Sequence, residues 1–329
     1  MKFLRHKNIK IFINYFLGPL LFIWLSYSIW QQIRHQPNLK QTLQQIGDAF
    51  TTPLVWNLVA VMGLMFVNWA IEAAKWKVTI QTIQSISFFT AFKAVLSGLS
   101  FSVTTPNRIG EYLGRILYME EGNRVKAVSL TIVGSMSQLI ITLLMGWIGL
   151  FVISPLLLEH QMISPIWLKV TRYGVLAAIG VILLFYFRLP ELVKWIDRWA
   201  RNERFMKWIN VLEVCDNSLL LKLLGLSFLR FLVFAAQYLL LFPLFKVDIG
   251  IMEGFWAVNV TFLVLAIIPT FAIAEVAQRG YVAKTIIGLY SLNETGIIFA
   301  AISIWFINLV IPAIVGSLLI VGIRKKLMR

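Results

Sequence analysis

Runs of about twenty consecutive apolar residues recur along this chain, and each is long enough as a helix to cross the ~30 Å hydrocarbon layer of a bilayer. The first, "IFINYFLGPLLFIWLSYSIW" at residues 11–30, is too long and aromatic for a signal-peptide core and lacks a small-residue cleavage site. Backbone groups in lipid must pair within the protein, which leaves helices or closed barrels. Continuous apolar runs, without the alternation of barrel strands, exclude the barrel. Composition agrees. With 59% hydrophobic and 14% charged residues and a mean hydropathy of +0.80, the chain cannot cover a water-facing surface.

The runs define six full spans, at 11–30, 54–74, 127–153, 170–187, 219–245 and 297–322. Two further regions, 88–120 and 255–291, are less regular. Each has an apolar limb, a Pro-containing break and a second limb that carries charge. The expected fold is an all-α integral membrane domain over 1–329, with six transmembrane spans and two Pro-broken re-entrant helical hairpins.

Orientation follows from the Lys and Arg of the loops. With the N-terminus inside, the inner segments hold 21 of the 30 basic residues and the outer segments 6. Both termini are therefore expected in the cytoplasm. The net charge of +15 does not point to nucleic acid, because the basic residues flank apolar spans.

The two breaks resemble each other. The first reads "TTPNRIGEYLGR" (104–115) and the second "PTFAIAEVAQR" (269–279). Each has a Pro, then an Ile-small-Glu step, then an Arg four residues after the Glu. The two glutamates, Glu111 and Glu275, are 164 residues apart, almost half the chain. Each half then holds three spans and one hairpin, and an odd span count sets the halves in opposite orientations. This predicts an inverted repeat, 1–160 and 161–329, with the first hairpin entering from the cytoplasm and the second from outside.

Locally, Pro106 lacks a backbone donor and biases Thr105 away from helix, so a helix ends there. Gly110 and Gly114 admit a close backbone neighbour. Glu111 and Arg115 share one face of the restarting helix, in the favourable order for an ion pair. A helix start with Arg108 beside it makes a cradle for phosphate. The plainer reading is a cytoplasmic loop with a surface ion pair of little energetic worth. Recurrence of the pattern favours a hairpin tip that lines a polar cavity.

The segment "AVLSGLSFSVTTPNRIGEYLGR", followed by a span beginning "AVSLTIVGSMSQ", resembles the lysylphosphatidylglycerol synthase transmembrane-region family. That family carries a small-residue-rich limb, a Thr-Pro turn and a Gly-Glu step, and the second break resembles its second Pro–Glu hairpin. The resemblance implies a module that moves phospholipids or polyprenyl-linked lipids between leaflets, in a bacterial or archaeal plasma membrane. Two departures bear on the head group accepted: Asn107 and Arg108 stand where many relatives have two glycines, and Ala274 replaces a Gly before Glu275. The chain ends at "RKKLMR", which leaves no room for the soluble aminoacyl-transferase domain of bifunctional members. The expectation is a stand-alone translocase.

Arg230 lies near the middle of the span 219–245, where a lone charge costs at least ~2.5–3.5 kcal/mol, so it should face the interior with a partner. Glu111 and Glu275 are the expected partners. Glu72, Lys75 and Lys77, flanked by Trp69 and Trp76, read as an interfacial belt closing the span 54–74, the alternative being that Glu72 with Lys75 or Trp76 lines a cytoplasmic mouth. Asn68, Gln138, Gln237, Asn259 and Asn308 read as interhelical hydrogen-bonding residues. Arg172 and Lys222 read as snorkelling anchors near span ends. Residues 188–218 carry six basic and five acidic residues, with Leu192, Trp195, Ile196, Trp199, Phe205 and Trp208 on one helical face. That is the pattern of an amphipathic helix on anionic inner-leaflet lipid.

Enzyme signatures are scarce. His6, His35 and His160 are scattered and Cys215 is the single cysteine, so no zinc set forms. The chain has no Gly-x-Ser-x-Gly elbow, P-loop or dinucleotide fingerprint. No cofactor and no nucleic-acid partner are expected; the partners are membrane lipids. The expected function is lipid translocation along a polar path formed by Thr105, Pro106, Arg108, Gly110, Glu111 and Arg115 of the first break, Arg230, and Pro269, Glu275 and Arg279 of the second. The alternatives are an intramembrane transferase using a lipid-linked donor, with one Glu as base, and a small-solute secondary transporter.

Overall fold

The computed structural model describes Gln44, Gly47 and residues 52–103, 105, 109–199, 209–268 and 275–323. The expected span 11–30, Pro106, Arg108, Pro269 and the basic C-terminal residues lie outside the described residues. Within them every regular element is helical.

Five helical segments are long and apolar enough to cross a membrane. They are α1 (Val55–Ile80), α4 (Arg124–Glu159), α5 (Pro165–Phe187), α7 (Asn217–Leu244) and a broken last span. The last span runs from α10 (Glu294–Trp305) through a π turn (Phe306–Val310) into α11 (Ile311–Ile323). These correspond to the five expected spans that fall on described residues, each extended at one end or both. Side-chain caps account for several of the added turns. Ser164 accepts from the Trp167 amide at 3.4 Å ahead of Pro165, Asp216 from Leu219 at 2.9 Å, and Asn293 from Gly296 at 2.9 Å.

The two irregular regions each resolve into a helix pair around the break. The first pair is α2 (Phe88–Ser102) and α3 (Gly110–Ile116), the second α8 (Ile251–Ile267) and α9 (Glu275–Ile287). The amphipathic pattern forms α6 over Leu189–Trp199, which buries Leu189 and Val193 and leaves Trp195 exposed. Phe205 and Trp208, expected on the same face, lie outside the described residues.

At the centre α1 and α7 run antiparallel. Asn57 Nδ2 donates to the Leu240 carbonyl at 3.2 Å, Gln237 Nε2 to the Val61 carbonyl at 2.9 Å, and Lys75 Nζ to Ser227 Oγ at 3.4 Å. One residue number rises as the other falls. On either side, α2 packs on α11 and α8 on α4. Small residues make both contacts close. A Cβ at Gly149 of α4 would lie 2.9 Å from Val260 of α8. Gly316 of α11 lies against the Leu96 carbonyl of α2, where Ser100 Oγ also donates to the Ala313 carbonyl at 2.6 Å. Helix α5 packs on α4 and exposes Trp167, Val170, Tyr173, Val181 and Leu184, an apolar outer face suited to lipid.

Pro155 interrupts the amide ladder of α4 and leaves the Phe151 carbonyl without its usual donor. The Ser154 hydroxyl supplies that bond at 2.8 Å and also accepts from Arg172 Nη2 at 2.5 Å. Arg172, expected as a snorkelling anchor, is half-buried and is held by Ser154, the Leu150 carbonyl and the Phe151 ring.

Candidate functional site

The first hairpin is built by small residues. A Cβ at Gly98 of α2 would sit 2.7 Å from the Glu111 carbonyl, and one at Gly114 of α3 would overlap the Gly98 backbone. Only hydrogen fits at either position, so the two helices meet backbone to backbone. Thr105 ties the break: its hydroxyl accepts from the Gly110 amide at 2.7 Å and donates to the Phe101 carbonyl at 3.2 Å. That contact turns the chain so that α3 brings Glu111 and Arg115 back toward α1.

Arg115 bonds Glu111, four residues earlier, as the spacing predicts, and the side chain is 3% exposed. Its Nη2 also donates to Glu72 Oε1 on α1 at 2.8 Å. Glu72 is the hub. Its Oε2 accepts from Lys75 Nζ at 2.9 Å and from Arg230 Nη1 of α7 at 2.8 Å. A carboxylate this buried is tolerable because three cations surround it with good geometry. Lys75 continues to Ser227, which shares a 2.8 Å hydrogen bond with Ser137 of α4.

Two expectations need correction here. Glu72, Lys75, Trp69 and Trp76 do not form an interfacial belt; all four are buried, and Trp76 Nε1 donates to Thr131 at 3.2 Å. The antiparallel pairing of α1 with α7 covers this end of α1, so its charges face protein. The partner of Arg230 is Glu72, and neither Glu111 nor Glu275 bonds it directly. Glu111 reaches Arg230 only through Arg115 and Glu72.

From Arg230 a chain of amides crosses the bundle. Arg230 Nε donates to Asn68 Oδ1 at 2.8 Å and Asn68 Nδ2 to Asn308 Oδ1 at 3.1 Å. Asn308 Nδ2 donates to Gln237 Oε1 at 2.9 Å, and Gln237 closes on the Val61 carbonyl. Asn308 sits in the π turn, four residues before Pro312, where the missing proline donor already weakens regular winding. Asn68, Gln237 and Asn308 thus bridge helices as their position in apolar spans predicts. Asn259 does not: it is fully buried in α8 and both its side-chain polar atoms lack a partner.

The second acid–base pair also forms, with Arg279 donating from Nε and Nη2 to Glu275 Oε1 at 3.1 and 2.9 Å. This pair borders a cavity of about 320 Å³ that it shares with Arg230. Gln138, Thr142 and Asn308 add polar groups to the wall, and Trp69, Phe231, Phe234, Phe262 and Trp305 form its aromatic part. The Arg230 guanidinium lies 5.0 Å from the Trp69 ring centroid and 5.4 Å from that of Phe234, within cation–π range. Arg230, Glu275 and Arg279 therefore meet at one cavity. Glu111 and Arg115 belong to the network behind it, and Thr105 and Gly110 serve the turn.

Among the described residues no group of three or more His, Cys, Asp or Glu side chains converges to hold a metal ion. The chemistry on offer is ionic and hydrogen-bonding, with guanidinium donors beside aromatic faces. A comparison with curated proteins finds no match. The lysylphosphatidylglycerol synthase TM region family matches residues 16–316, so the chain belongs to that family of helical membrane proteins.

Proposed function

We propose that the protein is a membrane lipid translocase, in which a lipid head group passes through the cavity at the second hairpin while the chains stay in the bilayer. The observation that carries this reading is the cavity itself. It sets two arginines and a glutamate beside aromatic rings, within a bundle whose outer helices are apolar. Charges this deep in a membrane bundle are costly and mark a substrate path.

An inverted repeat of six spans and two re-entrant hairpins supplies the movement, one half rocking against the other. Helices α1 and α7 support it, because residues 62–76, "MGLMFVNWAIEAAKW", match residues 224–238, "LGLSFLRFLVFAAQY", in their Gly-Leu, Phe and Ala-Ala positions. These helices run antiparallel, as inverted copies must. The packing is also mirrored, since α8 lies on α4 as α2 lies on α11. In this arrangement both termini are cytoplasmic, the hairpins enter from opposite faces, and α6 lies on anionic lipid of the inner leaflet.

The test is leaflet exchange of fluorescent phospholipids in vesicles that contain the purified protein. Exchange well above that of empty vesicles is expected, with a loss of tenfold or more in Arg230→Ala. Exchange at the empty-vesicle rate for every lipid class would overturn the reading.

A further inference from the structure

The match between α1 and α7 sets residues 162 apart in correspondence. Asn68 then corresponds to Arg230, and the two are hydrogen-bonded to each other across the seam. Glu72 corresponds to Phe234. In the hairpins Glu111 corresponds to Glu275, and Arg115 to Arg279. The halves therefore differ at one decisive point. In the first, the hairpin arginine finds the Glu72 carboxylate across the helix interface. In the second, the place of that carboxylate is taken by a phenylalanine, and Phe234 and Arg279 both border the cavity.

The charges agree. Among the described residues, the network and the cavity together hold Lys75, Arg115, Arg230 and Arg279 against Glu72, Glu111 and Glu275, one cation in excess. Lys75 and Arg115 balance Glu72 and Glu111 in the first half, and Arg279 balances Glu275 in the second. The cation left over is Arg230, which joins the two and borders the cavity. Of the buried wall groups without a partner, two are donors, the indole N–H groups of Trp69 and Trp305, and one is an acceptor, Gln138 Oε1. Such a set is short of one acceptor group with one negative charge.

We infer that the cavity is an oxyanion site, in which a phosphate group takes between Arg279 and Arg230 the place that the Glu72 carboxylate takes between Arg115 and Arg230. The inference rests on the repeat in the proposed function and adds the ligand's chemistry. The ligand is a phosphate ester whose charge is not cancelled by an ammonium group of its own. At about 320 Å³ the cavity takes a phosphate with a glycerol-sized substituent and excludes acyl chains. One half of the repeat carries its anion as a side chain, and the other receives it from outside.

The test is tryptophan fluorescence of the full-length protein in an uncharged maltoside detergent, titrated with four probes. These are dihexanoylphosphatidylglycerol, dihexanoylphosphatidylcholine, dihexanoylglycerol and inorganic phosphate. The expected result is saturable binding of the phosphatidylglycerol, at least tenfold weaker binding of the phosphatidylcholine, and none of the uncharged glyceride. Phosphate binding as tightly as the anionic lipid would identify the free ion as the source; weaker phosphate binding identifies the lipid. Phe234→Glu places a carboxylate where Glu72 has its counterpart, and should lower phosphatidylglycerol affinity tenfold or more without lowering the melting temperature. Leu292→Glu adds the same charge at a site 97% exposed and should leave affinity unchanged. Should Phe234→Glu fail to fold, Arg279→Gln must show the same loss. Equal binding of charged and uncharged glycerides, or wild-type affinity in both variants, would overturn the inference. Leaflet exchange without anion preference removes this inference alone, whereas anion binding without exchange of any lipid removes the translocase reading alone.

Discussion

Glu72 and Arg115, 43 residues apart and on different helices, meet at 2.8 Å with side chains only 5% and 3% exposed. Glu72 is also bonded by Lys75 and Arg230, so one carboxylate offsets three cations. Removing one member of a buried ion pair costs about 3–5 kcal/mol, because the remaining charge is left uncompensated. Glu72→Gln should therefore lose at least that much in denaturant unfolding in micelles. Glu111→Gln, which leaves Arg115 bonded to Glu72, should lose about half as much. Equal losses in the two variants would show that Glu72 is not the hub.

The contact of α2 with α3 depends on glycines that cannot be enlarged. Gly114→Ala pushes a methyl group into the Gly98 backbone, which has no rotamer by which to yield. A cost at or above the upper end of the ~1–3 kcal/mol usual for overpacking is expected. Gly174→Ala in α5 meets open space and should be neutral or stabilising by up to about 1 kcal/mol. Thermal melts of the two variants side by side check this.

Ser154 stands in for the amide that Pro155 lacks. Ser154→Ala should cost roughly 1 kcal/mol, the ordinary worth of a hydrogen bond, by leaving the Phe151 carbonyl without a donor. Adding Pro155→Ala restores a backbone N–H and should recover the part of the loss that comes from the Phe151 carbonyl, while the bond from Arg172 stays lost. If the double variant is less stable than Ser154→Ala, the hydroxyl is not replacing the amide.

Cys215 lies just before α7 and is 1% exposed. Burial, with a smaller contribution from the neighbouring Asp216 charge, pushes its thiol up to about 11. The thiolate is the reactive form, so at pH 8 the thiol is protonated and roughly a hundredfold less of it is nucleophilic than of an ordinary thiol. Maleimide should label the folded protein very slowly and the unfolded protein at once. As this is the sole cysteine, labelling reports unfolding at a single position.

Much of this architecture was legible in the residues. Hydropathy located the five spans that fall on described residues, and the Pro-Glu-Arg spacing located both helix pairs and their ion pairs. Gly110 and Gly114 were read as close-approach positions and are. The hub was not legible, because a Glu and two Lys that follow an apolar run beside two Trp look the same at a lipid interface and inside a bundle. What separates the cases is the helix that covers them, and Arg230 comes from 158 residues away. Its partner was sought among hairpin acids, whereas the antiparallel seam set Glu72 opposite it. Three of the cations counted toward orientation, Lys75, Arg115 and Arg279, are engaged in these contacts, so they do not belong to loops. The signal that could have found the seam was present as the shared Gly-Leu, Phe and Ala-Ala positions of α1 and α7.

The π turn at Phe306–Val310 has a consequence for the face that the last span presents. Continued at 3.6 residues per turn from Ile297 and Ile304, a uniform helix would point Val315 and Leu318 inward. Both are outside, 43% and 58% exposed, while Ala313, Gly316 and Ser317 are inside. The surplus residue rotates the lower segment by about 100° relative to the upper. That rotation brings the small side chains, rather than valine and leucine, against α2, so a tryptophan scan of this span should change phase at residue 310.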